Sequence, residues 1–193
     1  MSVTIMETPR LRLRPVHIDD LQAKYAIDIH PDVYRFQGFV RLPDGQKRAR
    51  TLEETREKLE QRIGEFALQG FGMWAMVLKE NDTFIGWSGL QFYLLEYGAF
   101  STPEIELFYG QSREYWGRGL VHEACQHLIE YGFKTLKLPR ITSVVHRDNV
   151  HSLNVARRNG MHFVDHPTEQ HNLVGILNNP YISPEQMQAH AIK

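Results

Sequence analysis

Cysteine, long apolar runs and excess charge are all scarce in this sequence of 193 residues. A single cysteine, Cys125, cannot form an internal disulfide, so the chain lacks the pattern of a disulfide-stabilised secreted protein. No stretch approaches the roughly 20 apolar residues of a membrane-spanning helix, and residues 1–4 lack the basic and apolar parts of a signal peptide. A net charge of −1 offers no broad basic surface. We therefore expect a cytoplasmic protein that binds neither nucleic acid nor membrane.

Apolar residues make up 42% of the chain, which is enough for one globular domain with a sizeable core. Their spacing predicts the order strand, two helices, three strands, long helix, strand, helix, two strands. That order is typical of a single α/β domain, with helices and a mixed sheet in an α+β arrangement. We expect the domain to span residues 1–180 and a polar tail to occupy residues 181–193.

Local signals mark the ends of the second helix. Thr51 and Glu54 have the spacing of a capping box, in which each side chain bonds the backbone N–H of the other residue. Gly70 is the expected stop, because glycine readily adopts the left-handed conformation that ends helices.

A hairpin is predicted after this helix. The apolar runs at residues 73–78 and 83–90 are its strands, and Gly86 and Gly89 inside the second strand indicate a bulge or a close approach of another backbone. Residues 93–103 are predicted to form a loop, and residues 104–109 the strand that follows it.

Two glycines, Gly117 and Gly119, lie directly before the long helix. The first N–H groups of a helix have no partner within the helix and carry partial positive charge, and glycine lets a ligand approach the backbone closely. The order strand, loop, glycine turn, helix is that of phosphate-binding βα units. The alternative is that the glycines only shape a loop before an ordinary core helix. Cys125 lies on the apolar face of that helix, where a cysteine is typically a small core residue. The apolar positions of the helix are Leu120, Val121, Ala124, Cys125, Leu128 and Ile129.

The segment from Arg113 to Ala124 resembles the acyl-CoA pyrophosphate loop of the GNAT superfamily of N-acetyltransferases, whose usual pattern is Gln/Arg-x-x-Gly-x-Gly/Ala. Trp116 takes the place of the basic or amide residue, and Val121 that of the second small residue. The aromatic opening and the following Glu123 are similar to the branch that includes the ribosomal-protein N-terminal acetyltransferases. Three further stretches match this branch, namely residues 8–15, residues 84–87 and residues 148–161.

This resemblance implies acetyl-CoA as cosubstrate, no metal, and direct transfer of the acetyl group to a primary amine. The acceptor is expected to be a protein N-terminal α-amine or a small-molecule amine. The loop amides are implied to hold the pyrophosphate, and the end of the preceding strand to bond the pantetheine arm. Arg118 is either a phosphate contact or a solvated side chain. The implied cofactor-binding residues are Phe108, Tyr109, Gly110, Trp116, Gly117, Arg118, Gly119, Leu120, Val121, Asn149 and Ser152.

The resemblance also implies catalytic residues. Glu106 occupies the strand position where this branch carries an acidic residue, so it is the expected base, acting directly or through water. Glu104, two residues earlier on the same strand face, is the alternative base, and a further alternative is that both are solvated strand residues. Ser152 is the acid that the match supplies for the departing thiolate, because Ala156 stands where many members have a tyrosine. Asn149 is either a ligand contact or the cap of its helix.

The histidines and an alternative function also bear on the enzyme hypothesis. The histidines between His146 and His171 have no spacing that fixes a metal ligand set, so no metal is expected, and His151 is the one histidine to test as an acid. A non-catalytic acyl-CoA-binding sensor is the alternative function. The acceptor, the choice between monomer and homodimer, and the restriction to acetyl among acyl groups are not determined by the sequence.

Overall fold

The computed structural model describes residues 5–97 and 100–183. The predicted tail at residues 181–193 therefore lies outside the described residues from position 184 onward. The helices are α1 (Leu21–Asp28), α2 (Pro31–Tyr34), α3 (Leu52–Gln69), α4 (Leu120–Lys134) and α5 (Val150–Arg158). The strands are β1 (Met6–Glu7), β2 (Leu11–Pro15), β3 (Phe39–Arg41), β4 (Lys47–Ala49), β5 (Met73–Leu78), β6 (Phe84–Tyr97), β7 (Phe100–Gln111), β8 (Arg140–His146), β9 (His162–Asp165) and β10 (Asn172–Asn178).

Eight of these strands form one mixed sheet, in the order β1-β2-β5-β6-β7-β8-β10-β9, and β3 pairs with β4 in a separate hairpin. The chain divides into two compact units, and β6, β7 and α4 each contribute residues to both. No helix within residues 5–97 and 100–183 is long and apolar enough to cross a membrane.

The first compact unit contains the described residues up to Gly89 together with Tyr109–Ala124. In it, β2 lies between β1 and β5, and all of these pairings are antiparallel. Alternation along β2 leaves Leu11 and Leu13 with none of their surface exposed. The ring of Phe66 from α3 meets the buried ring of Trp74 from β5 edge-on, with the centroids 4.9 Å apart. These contacts form the core of the unit.

The second compact unit contains Leu90–Phe108 and the described residues from Cys125 onward. In it, β10 pairs antiparallel with both β8 and β9. The pairing of β7 with β8 is parallel and joins Glu106 with Thr142. A Cβ atom at Gly132 of α4 would lie 2.9 Å from Ile141 Cδ1 on β8, so glycine allows the helix to pack closely on that strand.

Several predicted elements are confirmed, and one is wrong. Thr51 and Glu54 form the predicted capping box of α3, and Gly70 ends the helix with a φ of 77°. The predicted loop at residues 93–103 does not exist as such, because β6 continues to Tyr97 and β7 already begins at Phe100. The described residues of that range belong to the two strands.

Candidate active site

The glycine turn lies directly before α4, as the sequence predicts, and both glycines have left-handed backbone conformations. Gly117 and Gly119 have φ values of 77° and 74°, in the left-handed region that other residues enter only with strain. A Cβ atom at Gly117 would have no atom within 4 Å, so the outer side of the turn is open. Within the described part of the chain, no acceptor takes the N–H groups of residues 117–122. This run of amides at a helix start is suited to binding an anion.

Aromatic and basic side chains hold the segment that precedes the glycine turn. The indole Nε1 of Trp116 donates to the Gln111 carbonyl at 2.9 Å, so this residue anchors the turn to the end of β7. The Arg113 guanidinium stacks on the Trp116 ring at 4.8 Å and pairs with Asp32 at 3.1 Å. Arg118 is exposed, and its guanidinium lies 5.1 Å from the Tyr115 ring centroid. Both the phosphate-contact and the solvated readings of Arg118 agree with that position.

The end of β7 is held closely against β6 within the first unit. A Cβ atom at Gly86 would lie 2.2 Å from the Gly110 carbonyl oxygen, and one at Gly110 would lie 2.3 Å from Trp87 Cζ2. The pairing of β5 with β6 is irregular at the same level, between Met76 and Val77. The close backbone approach predicted at Gly86 is therefore confirmed.

The two carboxylates of β7 lie in the second unit and have different partners. Glu104 is 4% exposed and forms a two-pronged ion pair with Arg140, of which the Nε bond measures 2.8 Å. Hydrogen bonding to Glu104 raises the pKa of Arg140. The neighbouring carboxylate, Glu106, is 9% exposed and accepts from Gln91 Nε2 at 2.5 Å and from the Val144 N–H at 3.3 Å.

The Val144 N–H of β8 bonds a side chain of β7. In a regular parallel ladder this β8 amide donates to a carbonyl of β7. Here it donates to the Glu106 carboxylate, two residues beyond the parallel pairing of Glu106 with Thr142. The Glu106 side chain therefore replaces a main-chain acceptor at this point.

At the start of α5, Asn149 accepts a hydrogen bond from the Ser152 N–H at 3.1 Å, so Asn149 caps the helix. The Ser152 side chain is half-buried, and Ala156, one turn later, is 1% exposed. Capping does not use the Ser152 hydroxyl, which is the atom required of an acid.

A tyrosine–histidine pair close to Glu106 was not predicted. His166 Nδ1 accepts the N–H of Glu169 at 3.0 Å, so the neutral ring carries its proton on Nε2, which lies 3.2 Å from the Tyr93 hydroxyl. Burial, followed by the charges of Glu169, Glu106 and Glu96, raises the pKa of Tyr93 to about 12. Sequence spacing does not indicate this pair, because Tyr93 and His166 are 73 positions apart and the sequence predicts a loop at Tyr93. Within the described residues, no group of three or more His, Cys, Asp or Glu side chains is placed to hold a metal ion.

Comparison with known proteins identifies a family whose members resemble this chain. The family described as Acetyltransferase (GNAT) domain matches residues 10–162. The uncharacterised N-acetyltransferase p20 of Bacillus licheniformis is 29% identical over 149 residues, which are 77% of this chain and 76% of the relative. A solved acetyltransferase from Agrobacterium tumefaciens is 25% identical with a TM-score of 0.74, over 92% of this chain and 96% of that chain. RimL, a ribosomal α-N-protein acetyltransferase solved in complex with coenzyme A, shares the fold at 17% identity, with a TM-score of 0.68 over 91% and 98% of the two chains.

Proposed function

Because this chain belongs to the GNAT acetyltransferases, we propose that it transfers the acetyl group of acetyl-CoA to a protein N-terminal α-amine or a small-molecule amine. The family makes the protein an acetyl-CoA-dependent enzyme that acetylates amines. The proposal adds the class of acceptor, the roles of residues, and residues 1–180 as the extent of the catalytic domain.

The observation that carries the proposal is the run of backbone N–H groups at residues 117–122, for which no described residue is an acceptor. These amides, with the partial positive charge of the α4 N-terminus, would bind the pyrophosphate of acetyl-CoA. Trp116 anchors the turn, and Phe108, Tyr109 and Gly110 would bond the pantetheine arm through their backbone. Asn149 and Ser152 would contact the thioester end.

Glu106 is the proposed base. Deprotonating an α-amine with a pKa of about 7.8 costs about 1 kcal/mol at pH 7, whereas a lysine near 10.4 costs about 4.6 kcal/mol. A carboxylate is an adequate base for the first acceptor, acting directly or through water. Glu104 is a weaker candidate, because Arg140 already binds its carboxylate from two directions. RimL is a ribosomal α-N-protein acetyltransferase, which supports a protein N-terminus among the possible amines.

Ser152 is the proposed acid, supplying a proton or hydrogen bond to the departing thiolate. We expect Ser152→Ala to lower kcat while the KM for acetyl-CoA barely changes, because the interaction matters only as charge develops. Unchanged turnover would remove Ser152 from the mechanism.

The experiment that tests the function measures release of free coenzyme A from acetyl-CoA with a panel of amines. The panel contains peptides with a free N-terminus, the same peptides blocked at the N-terminus but carrying lysine, and small primary amines. We expect release with at least one amine, and for an α-amine kcat/KM should rise with pH to a plateau with an apparent pKa near 7.8. Tight binding of coenzyme A without turnover on any amine would instead favour the non-catalytic sensor.

The role of the base is tested with two matched variants on one strand. Glu106→Gln keeps an oxygen for the Val144 N–H but removes the base, so we expect kcat to fall by about 100-fold. Glu104→Gln makes the same chemical change two residues away. If only Glu104→Gln abolished turnover, the base would be Glu104 and the assignment to Glu106 would be wrong.

A further inference from the structure

Two segments that are far apart in the sequence meet beside the glycine turn, namely residues 8–10 and the first turn of α4. Glu123, in the first turn of α4, accepts hydrogen bonds from Thr8 Oγ1 at 2.5 Å and from the Arg10 N–H at 2.8 Å on the same oxygen. Its second oxygen accepts from Arg10 Nε and Nη2, each at 2.7 Å. The Glu123 carboxylate is thus bound along both edges by the segment that leads into β2.

The remaining nitrogen of the Arg10 guanidinium reaches the glycine turn itself. Arg10 Nη1 donates to the Arg118 carbonyl oxygen at 2.9 Å. Arg10 Nη2 also lies 3.7 Å from the position of a Cβ atom built on Gly119. One planar guanidinium therefore joins the first turn of α4 to the peptide between Arg118 and Gly119.

That contact determines the direction of an amide. A trans peptide is planar, and its C=O and N–H point in opposite directions. Since Arg10 holds the Arg118 carbonyl on its own side, the N–H of Gly119 in the same peptide must point away from Arg10. Glycine has few conformational restraints of its own, so an external contact is what fixes this peptide plane.

The arrangement differs from an ordinary surface ion pair. The Glu123 side chain is only 12% exposed, and although its burial raises the pKa, hydrogen bonds from Thr8 and Arg10 lower it below its usual value. By contrast, Arg12 lies two residues further along the same strand face and pairs with Glu7 at 3.5 Å and Asp82 at 2.9 Å. Neither of those partners belongs to the glycine turn.

We propose that Arg10 and Glu123 are positioning residues that aim the Gly119 N–H at the pyrophosphate of acetyl-CoA. This inference rests on the proposed function, because it concerns how tightly the loop binds its ligand. It assigns a role to residues 8–10 and to Glu123, which no catalytic or binding step has used so far.

The first test compares Arg10→Lys with Arg12→Lys in the full-length protein. Lysine keeps the charge but has no planar fork, so it cannot bridge Glu123 and the Arg118 carbonyl together. We expect Arg10→Lys to raise the KM for acetyl-CoA and the Kd for coenzyme A by about tenfold, with kcat within about twofold and the KM for the amine unchanged. Arg12→Lys should match the unaltered protein. Equal effects of the two substitutions would overturn the proposal.

The second test separates positioning from direct contact of Arg10 with a phosphate. In Glu123→Gln, Arg10 loses its anionic partner. If Arg10 bound the phosphate itself, its release would leave the affinity for coenzyme A equal or higher. If it positions the loop, the affinity falls by about fivefold. An unchanged or higher affinity would therefore overturn the proposal, whereas a failure of the unaltered protein to bind coenzyme A at all would instead contradict the proposed function.

Discussion

At the scale of single residues, the least expected feature is a buried ion pair in the first unit. Lys24 Nζ lies 2.6 Å from Asp28 Oδ2 and 4.1 Å from the Trp87 ring centroid, and the two side chains are 3% and 1% exposed. Burial lowers the pKa of Lys24 and raises the pKa of Asp28. Burial disfavours both charges, and each is favoured mainly by the other.

We expect Lys24→Met to reduce the free energy of unfolding by about 3 kcal/mol, because it leaves the Asp28 carboxylate buried without its ion-pair partner. The double variant Lys24→Met with Asp28→Leu should regain most of that loss, since no charge then remains to be desolvated. Urea denaturation of both variants provides the measurement. A double variant that is less stable than the single one would contradict this account of the pair.

Gly86 provides a second test at this scale. A methyl group there would lie 2.2 Å from the Gly110 carbonyl oxygen, at a φ of 154°. We expect Gly86→Ala to destabilise the protein by at least about 2 kcal/mol. The matched control is Gly64→Ala in α3, where no atom lies within 4 Å, and which should stabilise the helix by up to about 1 kcal/mol. Similar unfolding midpoints for the two variants would show that the close approach carries no cost.

At the scale of elements, the start of α3 is held by charge as well as by its capping box. Arg48 donates to both Glu54 oxygens at 2.7 Å, and Glu54 accepts the Thr51 N–H at 2.8 Å. Hydrogen bonding from Arg48, followed by that from the Thr51 backbone, lowers the pKa of Glu54 from 4.5 to about 2. Hairpin strand β4 and helix α3 are joined through this carboxylate.

A lowered pKa in the folded state stabilises the protein above the unfolded pKa, and the stabilisation disappears as pH falls towards the folded pKa. We therefore expect the difference in Tm between the unaltered protein and Glu54→Gln to be constant above about pH 5.5 and to shrink as pH falls from 4.5 towards 2. Glu60→Gln, at an exposed position of the same helix, controls for the loss of one charge. A difference that stays constant down to pH 3 would show that Arg48 does not stabilise the Glu54 carboxylate.

How far an element could be predicted depended on whether its signal was local. The ends of α3 and the glycine turn before α4 were predictable, because capping side chains and glycine conformation act within a few residues. The continuation of β6 to Tyr97 and the start of β7 at Phe100 were not, because strand formation depends on neighbouring strands as well as on local composition. The short helix α2, which begins at Pro31, was missed because four residues carry no periodicity.

At the scale of the whole molecule, the single α/β domain with a mixed sheet and the GNAT family are confirmed by the match over residues 10–162. The contacts that surround the proposed site were beyond reach of the sequence. Arg10 and Glu123 are 113 positions apart, and Glu106 and Val144 are 38 apart. Separations of this length do not indicate from the sequence that the residues of either pair are in contact in the folded chain.

Ligand binding should stabilise the whole molecule. If coenzyme A binds the folded protein alone, a concentration 100 times the Kd adds about 2.7 kcal/mol to the free energy of unfolding. For a chain of this size we expect a rise in Tm of about 5 to 10 °C, measured by thermal denaturation. Pantetheine, which has no pyrophosphate, is the control and should produce a much smaller rise. Equal shifts with both ligands would contradict binding through the amides of the glycine turn.

Glu106 supports the sheet whether or not it removes a proton, since it takes the hydrogen bond that a main-chain carbonyl of β7 would otherwise accept from Val144. Glutamine would also offer an oxygen to Val144, so the fold requires only an acceptor at this position, whereas the proposed catalysis requires an acidic residue. A relative with glutamine here is therefore expected to keep the sheet and to lack the base.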